Sequence, residues 1–126
     1  MVVLDTNIII DHLRQYPHSK ESILDKLVKE IPSREFALSA ISVQELFTGL
    51  STRDKLVAKW IWEIISEFKI VPYDEHIAQL AGVIERDFGP MEFPDAAIAA
   101  TAVLNGAKLF TLNRKDFQGV KKLKLI

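Results

Sequence analysis

The sequence contains no cysteine among its 126 residues, and this absence excludes disulfide bonds, cysteine-based zinc sites and thiol catalysis together. Its three histidines, His12, His18 and His76, do not have the spacing of a local metal-binding motif such as H-x-x-x-H. A histidine metal site would have to be assembled from distant parts of the chain. We therefore expect all three histidines to lie at the surface.

Neither sign of charge is in excess, because 16 Lys and Arg residues stand against 17 Asp and Glu residues. This balance disfavours a protein that holds nucleic acid by bulk positive charge. A glycine-rich phosphate loop is also missing, which excludes P-loop nucleotide hydrolysis. No apolar run approaches the roughly 20 residues of a membrane span, and the first residues do not have the pattern of a signal peptide. We expect a cytoplasmic location and no membrane association.

The sequence instead alternates short β-rich runs with amphipathic segments of helical period. Its length and its 48% hydrophobic content predict one globular domain over residues 1–126. Strands alternating with helices indicate a parallel sheet covered on both faces. We predict an α/β fold, a three-layer α/β/α sandwich with a central, mainly parallel sheet of four to five strands. The predicted strands are Val2–Leu4, Phe36–Ser39, Lys69–Val71, Leu109–Leu112 and, less regularly, Leu123–Leu125.

Four acidic residues follow or flank these strands. Asp5 comes directly after the first strand, Glu45 lies in the helix after the second, and Asp116 lies in a loop after the fourth. Asp95 begins an alanine-rich helix that we expect to run to Leu104 and to be buried. Because ligands in open parallel sheets bind beyond the carboxyl ends of the strands, the first three acids are expected at one edge. Asp95 joins them if its helix starts there.

Each acid also has a purely structural interpretation. Asp5 could cap the first helix, Glu45 could be a solvated surface residue, and Asp95 could favour the helix dipole. Jointly, however, carboxylates gathered at one edge repel one another, and a cation is needed to neutralise them. Oxygen ligands without histidine or cysteine suit Mg²⁺ or Mn²⁺. Two such ions about 4 Å apart can support phosphodiester hydrolysis.

The segments LDTN, ISVQELFTGL, PDAAIAATA and LFTLNRKDF resemble, in order, the four signature blocks of PIN-domain ribonucleases, and most closely VapC-type toxins of toxin–antitoxin pairs. The resemblance implies a Mg²⁺- or Mn²⁺-dependent endoribonuclease with a homodimeric assembly and an antitoxin partner that covers an apolar groove. It also implies that Asp5, Glu45, Asp95 and Asp116 ligate the metal or support the attacking water.

The resemblance implies supporting roles for three further residues. Thr6 matches a hydroxyl position beside the first acid, where it can hold a water or a phosphate, and Asn7 is expected to brace the turn. Related domains often place an acid where this sequence has Asn113. The resemblance therefore does not decide whether the site holds one metal ion or two. Arg114 and Lys115 either contact RNA phosphates or belong to a solvated loop.

Trp62 projects from the side of its helix opposite the apolar stripe. It is either an interface anchor or is covered by a neighbouring element. The lysines of the tail KKLK are expected mainly to protect a sheet edge from pairing, with RNA steering as the alternative.

Two rival functions are open at this stage. The first is a receiver-like signalling domain, which has the same α/β alternation but requires an acidic pair after its first strand, where Asp5 stands alone. The second is a PIN-like scaffold that binds RNA or protein without catalysis.

Overall fold

The computed structural model describes residues 1–126 and contains one parallel sheet of five strands in the order β3-β2-β1-β4-β5. The strands are β1 (Val2–Leu4), β2 (Phe36–Ser39), β3 (Lys69–Val71), β4 (Lys108–Phe110) and β5 (Lys124–Leu125). The predicted α/β architecture is therefore confirmed. The receiver-like alternative is wrong, since a receiver has the strand order 2-1-3-4-5.

Seven α-helices flank the sheet, one more than the sequence pattern indicates. They are α1 (Thr6–Gln15), α2 (Ile23–Glu30), α3 (Ala40–Phe47), α4 (Lys55–Ile65), α5 (Glu75–Asp87), α6 (Phe93–Leu104) and α7 (Arg114–Phe117). The additional helix, α7, is a single turn in the segment that was expected to be a loop. Strand β4 ends at Phe110 rather than Leu112, because the Thr111 side chain turns to bond Asp5 and the chain leaves the sheet there.

The two faces of the sheet carry separate hydrophobic cores, as the alternation of strand side chains requires. Val3 and Ala37 point to one side, where α5, α6 and α7 pack. Leu4 and Phe36 point to the other side, which α1, α2, α3 and α4 cover. The structure is therefore the predicted three-layer sandwich.

Helix α6 packs against β1, β2, β4 and α5. It can approach them closely because its buried positions are mostly alanine, and the alanines that are fully buried are Ala96, Ala97, Ala99, Ala100 and Ala102. The helix begins at Phe93, with Pro94 in its first turn, two residues earlier than the sequence suggests. Asp95 therefore lies within the first turn of α6 rather than at its start. It is close to the carboxyl ends of the strands, where Asp5 lies.

The surface predictions have mixed outcomes. His18 and His76 are exposed, but the prediction for His12 is wrong: its side chain is only 16% exposed and its Nδ1 lies 2.7 Å from Ser22 Oγ. The cause is the packing of α2 on α1, which brings the capping serine of α2 against the imidazole. No helix has the length and apolar character needed to cross a membrane.

Trp62 is 53% exposed, and its ring centroid lies 5.4 Å from that of Phe47. The side chain is therefore neither buried nor isolated. Lys124 is exposed in β5, which lies at the edge of the sheet, as expected for a lysine that protects this edge.

Candidate active site

Asp5 stands where the central strand β1 ends and α1 begins. Its backbone N–H donates to the Phe110 carbonyl oxygen at 2.9 Å, which extends the pairing of β1 with β4 to the edge of the sheet. The side chain is 5% exposed and occupies the N-cap position of α1, yet it makes no capping hydrogen bond. Its Oδ2 instead accepts a hydrogen bond from the Thr111 hydroxyl at 2.7 Å. The side-chain hydrogen bond that Asp5 accepts therefore comes from the residue after β4, and the N–H groups at the start of its own helix lie nearby.

The pKa of Asp5 is raised above its ordinary value, chiefly because burial penalises the charged form. The Thr111 hydroxyl and the N–H groups of Thr6 and Asn7 lower this pKa, and the negative charge of Asp116 raises it. The hydrogen bonds offset only part of the cost of burying this carboxylate, and no positively charged side chain contributes.

Glu45 comes from α3 and is half-buried. Its Oε1 lies 2.7 Å from the Thr6 hydroxyl, and the same hydroxyl lies 2.8 Å from Ser42 Oγ. An ionised carboxylate can only accept, so the single Thr6 proton is donated to Glu45. Ser42 therefore donates to Thr6. Thr6 thus contacts an acid of the site directly, rather than only a water or phosphate.

Asp95 shows that the four predicted acids act on one another. Its pKa is raised from 3.8 to about 6, first by burial and then by the charges of Asp5, Asp116, Glu45 and Glu92. None of these acids belongs to an ion pair; all five ion pairs of the structure lie elsewhere. The structure therefore gathers uncompensated negative charge at the carboxyl edge of the sheet.

Asp95 and Asp116 line a pocket of about 350 Å³ that is open to solvent. It is lined by Pro90, Met91, Glu92, Asp95, Asn113 and Asp116. Asn113 and Asp116 are neighbours here, since the Asp116 N–H donates to the Asn113 carbonyl oxygen at 3.1 Å. We refer to this pocket together with Asp5 and Glu45 as the acidic cleft.

The donor chemistry of the acidic cleft fits Mg²⁺ or Mn²⁺, because its ligands are hard oxygens and its charge has no basic partner. A formed coordination shell is absent: no three acidic or histidine side chains converge closely enough to enclose an ion. The fit to a divalent cation thus rests on charge and donor type.

The other predicted residues lie at the rim. Asn7 Oδ1 accepts from the Leu112 N–H at 3.5 Å, which links α1 to the segment after β4 rather than bracing its own turn. Arg114 Nη1 donates to the main-chain oxygen of Ile126 at 2.7 Å. Lys115 is exposed.

Three residues of the site escaped the sequence interpretation. Ser42 stands three positions before Glu45 and therefore on the same side of α3, a spacing that could have indicated its role. Thr111 was assigned to a strand, although a polar residue ending an apolar run was a usable signal. Glu92 precedes the predicted start of its helix at Asp95, and the sequence pattern gives no signal for it.

The Asp95 pKa has a consequence for stability in the absence of metal. Because the folded pKa is about 6 and the ordinary value is 3.8, the folded protein binds the proton more tightly, and the free energy of unfolding decreases as pH rises between these values. We expect Asp95→Asn to be more stable than wild type by roughly 1 kcal/mol at pH 7.5, after allowance for solvent screening. The gain should shrink toward zero near pH 4.

Urea unfolding in EDTA at several pH values measures this difference. Asp54→Asn is the matched control, since it removes the same charge from an exposed cap and asparagine also caps helices well. A gain in Asp95→Asn that does not vary with pH would contradict the assignment of a raised pKa to this residue.

The comparison with known protein families agrees with the geometry. A family model described as "PIN domain" matches residues 2–123. The chain therefore belongs to the PIN domain family, and the resemblance of the four sequence blocks is confirmed.

Within this family, the chain is similar to Ribonuclease VapC10 of Mycobacterium tuberculosis, with 30% identity over 98% of this chain and 91% of the relative. It also resembles a chain of FitAcB from Neisseria gonorrhoeae, at 28% identity and TM-score 0.78, covering 100% of this chain and 96% of the other. A toxin-antitoxin complex from Klebsiella pneumoniae contains a chain at 25% identity and TM-score 0.79, with coverage of 100% and 96%.

Proposed function

We propose that this protein is a Mg²⁺- or Mn²⁺-dependent endoribonuclease, the growth-inhibiting toxin of a toxin–antitoxin pair, acting as a single domain over residues 1–126 in the cytoplasm. The observation that carries the proposal is the acidic cleft, where Asp95 is surrounded by other carboxylates and no basic side chain neutralises them. A relative at 30% identity that bears the name ribonuclease supports RNA as the substrate.

In this mechanism Asp5, Glu45 and Asp95 would hold the divalent cation, and Asp116 would complete the outer side of the cleft. The bound ion supplies Lewis-acid chemistry, lowering the pKa of a water and offsetting charge on the phosphodiester. Attack of a water oxygen on phosphorus would break the bond from phosphorus to the 3′ oxygen, which leaves as the 3′-hydroxyl after taking up a proton, and the other end would carry the 5′-phosphate. Asn113 carries no charge, so the cleft has less negative charge for a second ion than an acid there would give.

The chain's other residues orient the substrate. Lys115, exposed at the rim beside Asp116, is available for a phosphate oxygen. Arg114 uses one donor on Ile126 and keeps others for the same purpose. These two cations offset the repulsion between RNA and the acids only locally, so the bound metal is the main attraction for the polyanion.

The proposed protein partner is an antitoxin, and similarity to chains from solved toxin–antitoxin complexes supports it. A groove of about 470 Å³ adjoins the cleft and is lined mainly by apolar side chains, including Leu13, Val57 and Trp60, with Glu45 also at its wall. An apolar segment lying in this groove can present a basic side chain to Glu45. A homodimer is the proposed assembly, and the half-exposed Trp62 is available for one of these protein contacts.

A PIN-like scaffold without catalysis is the second candidate. The observation that favours it is the lack of three converging ligands. The two candidates differ in whether the cleft binds a divalent cation.

Calorimetric titration of Mn²⁺ into the wild type, Asp5→Asn, Asp95→Asn and the control Asp54→Asn separates them. We expect binding to weaken sharply in the first two variants and to be unchanged in the control, because only the first two remove cleft ligands. Unchanged binding in both cleft variants would refute a shared metal site. Undetectable binding in the wild type would favour the scaffold.

A further inference from the structure

Two buried threonines hold the acids of the cleft in the same way. Thr6 and Thr111 are each 4% exposed, and each hydroxyl lies 2.7 Å from one carboxylate oxygen, of Glu45 and Asp5 respectively. Each threonine oxygen also accepts from a second donor behind it. For Thr6 this donor is Ser42 Oγ at 2.8 Å, and for Thr111 it is the Asn113 N–H at 3.0 Å.

The direction of both hydrogen-bond chains is fixed by chemistry. A backbone N–H can only donate and a carboxylate can only accept, so the Thr111 hydroxyl accepts a hydrogen bond from Asn113 N–H and donates one to Asp5. For Thr6 the carboxylate of Glu45 alone decides the direction: Thr6 has one proton and donates it to Glu45, so the hydroxyl of Ser42, which could donate or accept, is the donor to Thr6. Each acid therefore meets a hydroxyl whose rotation is set from both sides, which leaves little freedom for the carboxylate plane.

Neutral donors suit this task better than cations. A lysine or arginine at the same distance would orient the carboxylate but also cancel its charge, and the cleft would lose attraction for a divalent ion. A hydroxyl orients the oxygen that it contacts and leaves the net charge in place. Both threonines also join separate elements, since Thr111 connects the end of β4 to Asp5 after β1, and Thr6 connects α1 to α3.

We propose that Thr6 and Thr111 are positioning residues of the acidic cleft, which orient Glu45 and Asp5 toward a divalent cation without neutralising them, and that Ser42 fixes the direction of the Thr6 hydroxyl. This inference rests on the proposed metal-dependent function. It adds two buried hydroxyl groups to the determinants of metal affinity, although neither threonine is itself a ligand.

Valine has nearly the shape of threonine without the hydroxyl, so Thr111→Val and Thr6→Val isolate the hydrogen bond. The matched control is Thr101→Val, because Thr101 is equally buried but its hydroxyl bonds the Ala97 carbonyl oxygen within α6. Calorimetric Mn²⁺ titration and thermal unfolding of the metal-free proteins are the two measurements. We expect Mn²⁺ affinity to fall about 10–100-fold in the two cleft variants and to be unchanged in the control.

Serine variants test whether the hydroxyl or the packing is responsible. Thr111→Ser and Thr6→Ser retain the donor, and we expect them to recover nearly the wild-type Mn²⁺ affinity even where the lost methyl lowers the melting temperature. Wild-type affinity in the folded valine variants would overturn the inference. So would serine variants that bind as weakly as the valine variants, since packing alone would then explain the loss.

Smaller changes replace a valine variant that does not fold. Ser42→Ala removes the donor behind Thr6, and Thr111→Ala removes the hydroxyl without adding bulk. Weaker Mn²⁺ binding in both variants supports the inference, and unchanged binding contradicts it. Asp5→Asn separates this test from that of the proposed function. If Asp5→Asn binds Mn²⁺ like the wild type, the metal site itself is wrong; if only Thr111→Val does, only the positioning role is wrong.

Discussion

Asp95→Asn is expected to reduce RNA cleavage about 10³-fold or more, because it removes one carboxylate oxygen and one negative charge from the cleft that we propose binds the divalent cation. The fold should be retained, since the substitution relieves repulsion from the neighbouring acids. Total bacterial RNA with Mn²⁺ is a suitable substrate because it does not require the target to be known. Sequencing of new 5′-phosphate ends measures the cleavage.

Asp54→Asn serves again as the control of equal charge and is expected to produce the wild-type pattern of ends. Glu92→Gln tests how far the effect extends, since Glu92 lines the pocket but is exposed and matches none of the four sequence blocks. We expect it to cleave at a rate closer to the wild type than to Asp95→Asn. Cleavage by Asp95→Asn at the wild-type rate would disprove the catalytic assignment.

Phe36→Ala is expected to have the largest effect on stability, about 3–5 kcal/mol. Phe36 lies in β2, is 1% exposed, and its ring meets that of Phe68 edge-on with centroids 6.0 Å apart. Its truncation removes an aromatic pair and leaves a cavity between the sheet and the helices on that face. A protein of this size should melt roughly 15 °C lower.

Phe36→Leu is the companion variant, because it keeps an apolar side chain of intermediate size and should lose much less. Guanidinium unfolding of both variants gives the free energies, and an unchanged m-value would show that the unfolded state is comparable. A loss below about 1 kcal/mol in Phe36→Ala would mean that the surrounding core closes over the cavity, contrary to the packing described here.

The fold could be predicted because its determinants are periodic. Each strand is an apolar run between polar breaks, and the helices between them repeat at 3.6 residues, so a parallel sheet with two covered faces follows. What periodicity could not give is the exact end of an element. Strand β4 stops at Phe110 because Thr111 bonds to Asp5, and that contact spans 106 positions of the chain.

The site was predictable to the extent that the acids lie at strand ends. Asp5 follows from its strand directly, whereas Asp95 depends on how far α6 approaches the sheet, a distance set by alanines that only the folded structure brings together. Asp116 was expected in a loop and instead lies in α7, a helix too short to produce a recognisable period. The hydroxyl groups of Thr6 and Thr111 bond to acids that are far away in the sequence, so no local sequence pattern indicates these hydrogen bonds.

The pairing of β4 with β1 determines when the cleft can form during synthesis. Asp5, Glu45 and Asp95 are translated before Lys108, but β1 has β4 as its neighbour on one side and Asp5 receives its hydrogen bond from Thr111. A nascent chain that has not yet released this strand from the ribosome carries three of the acids on an incomplete sheet. The cleft therefore cannot assemble before β4 and Thr111 have left the ribosome, and any cleavage activity is expected to begin only after that point.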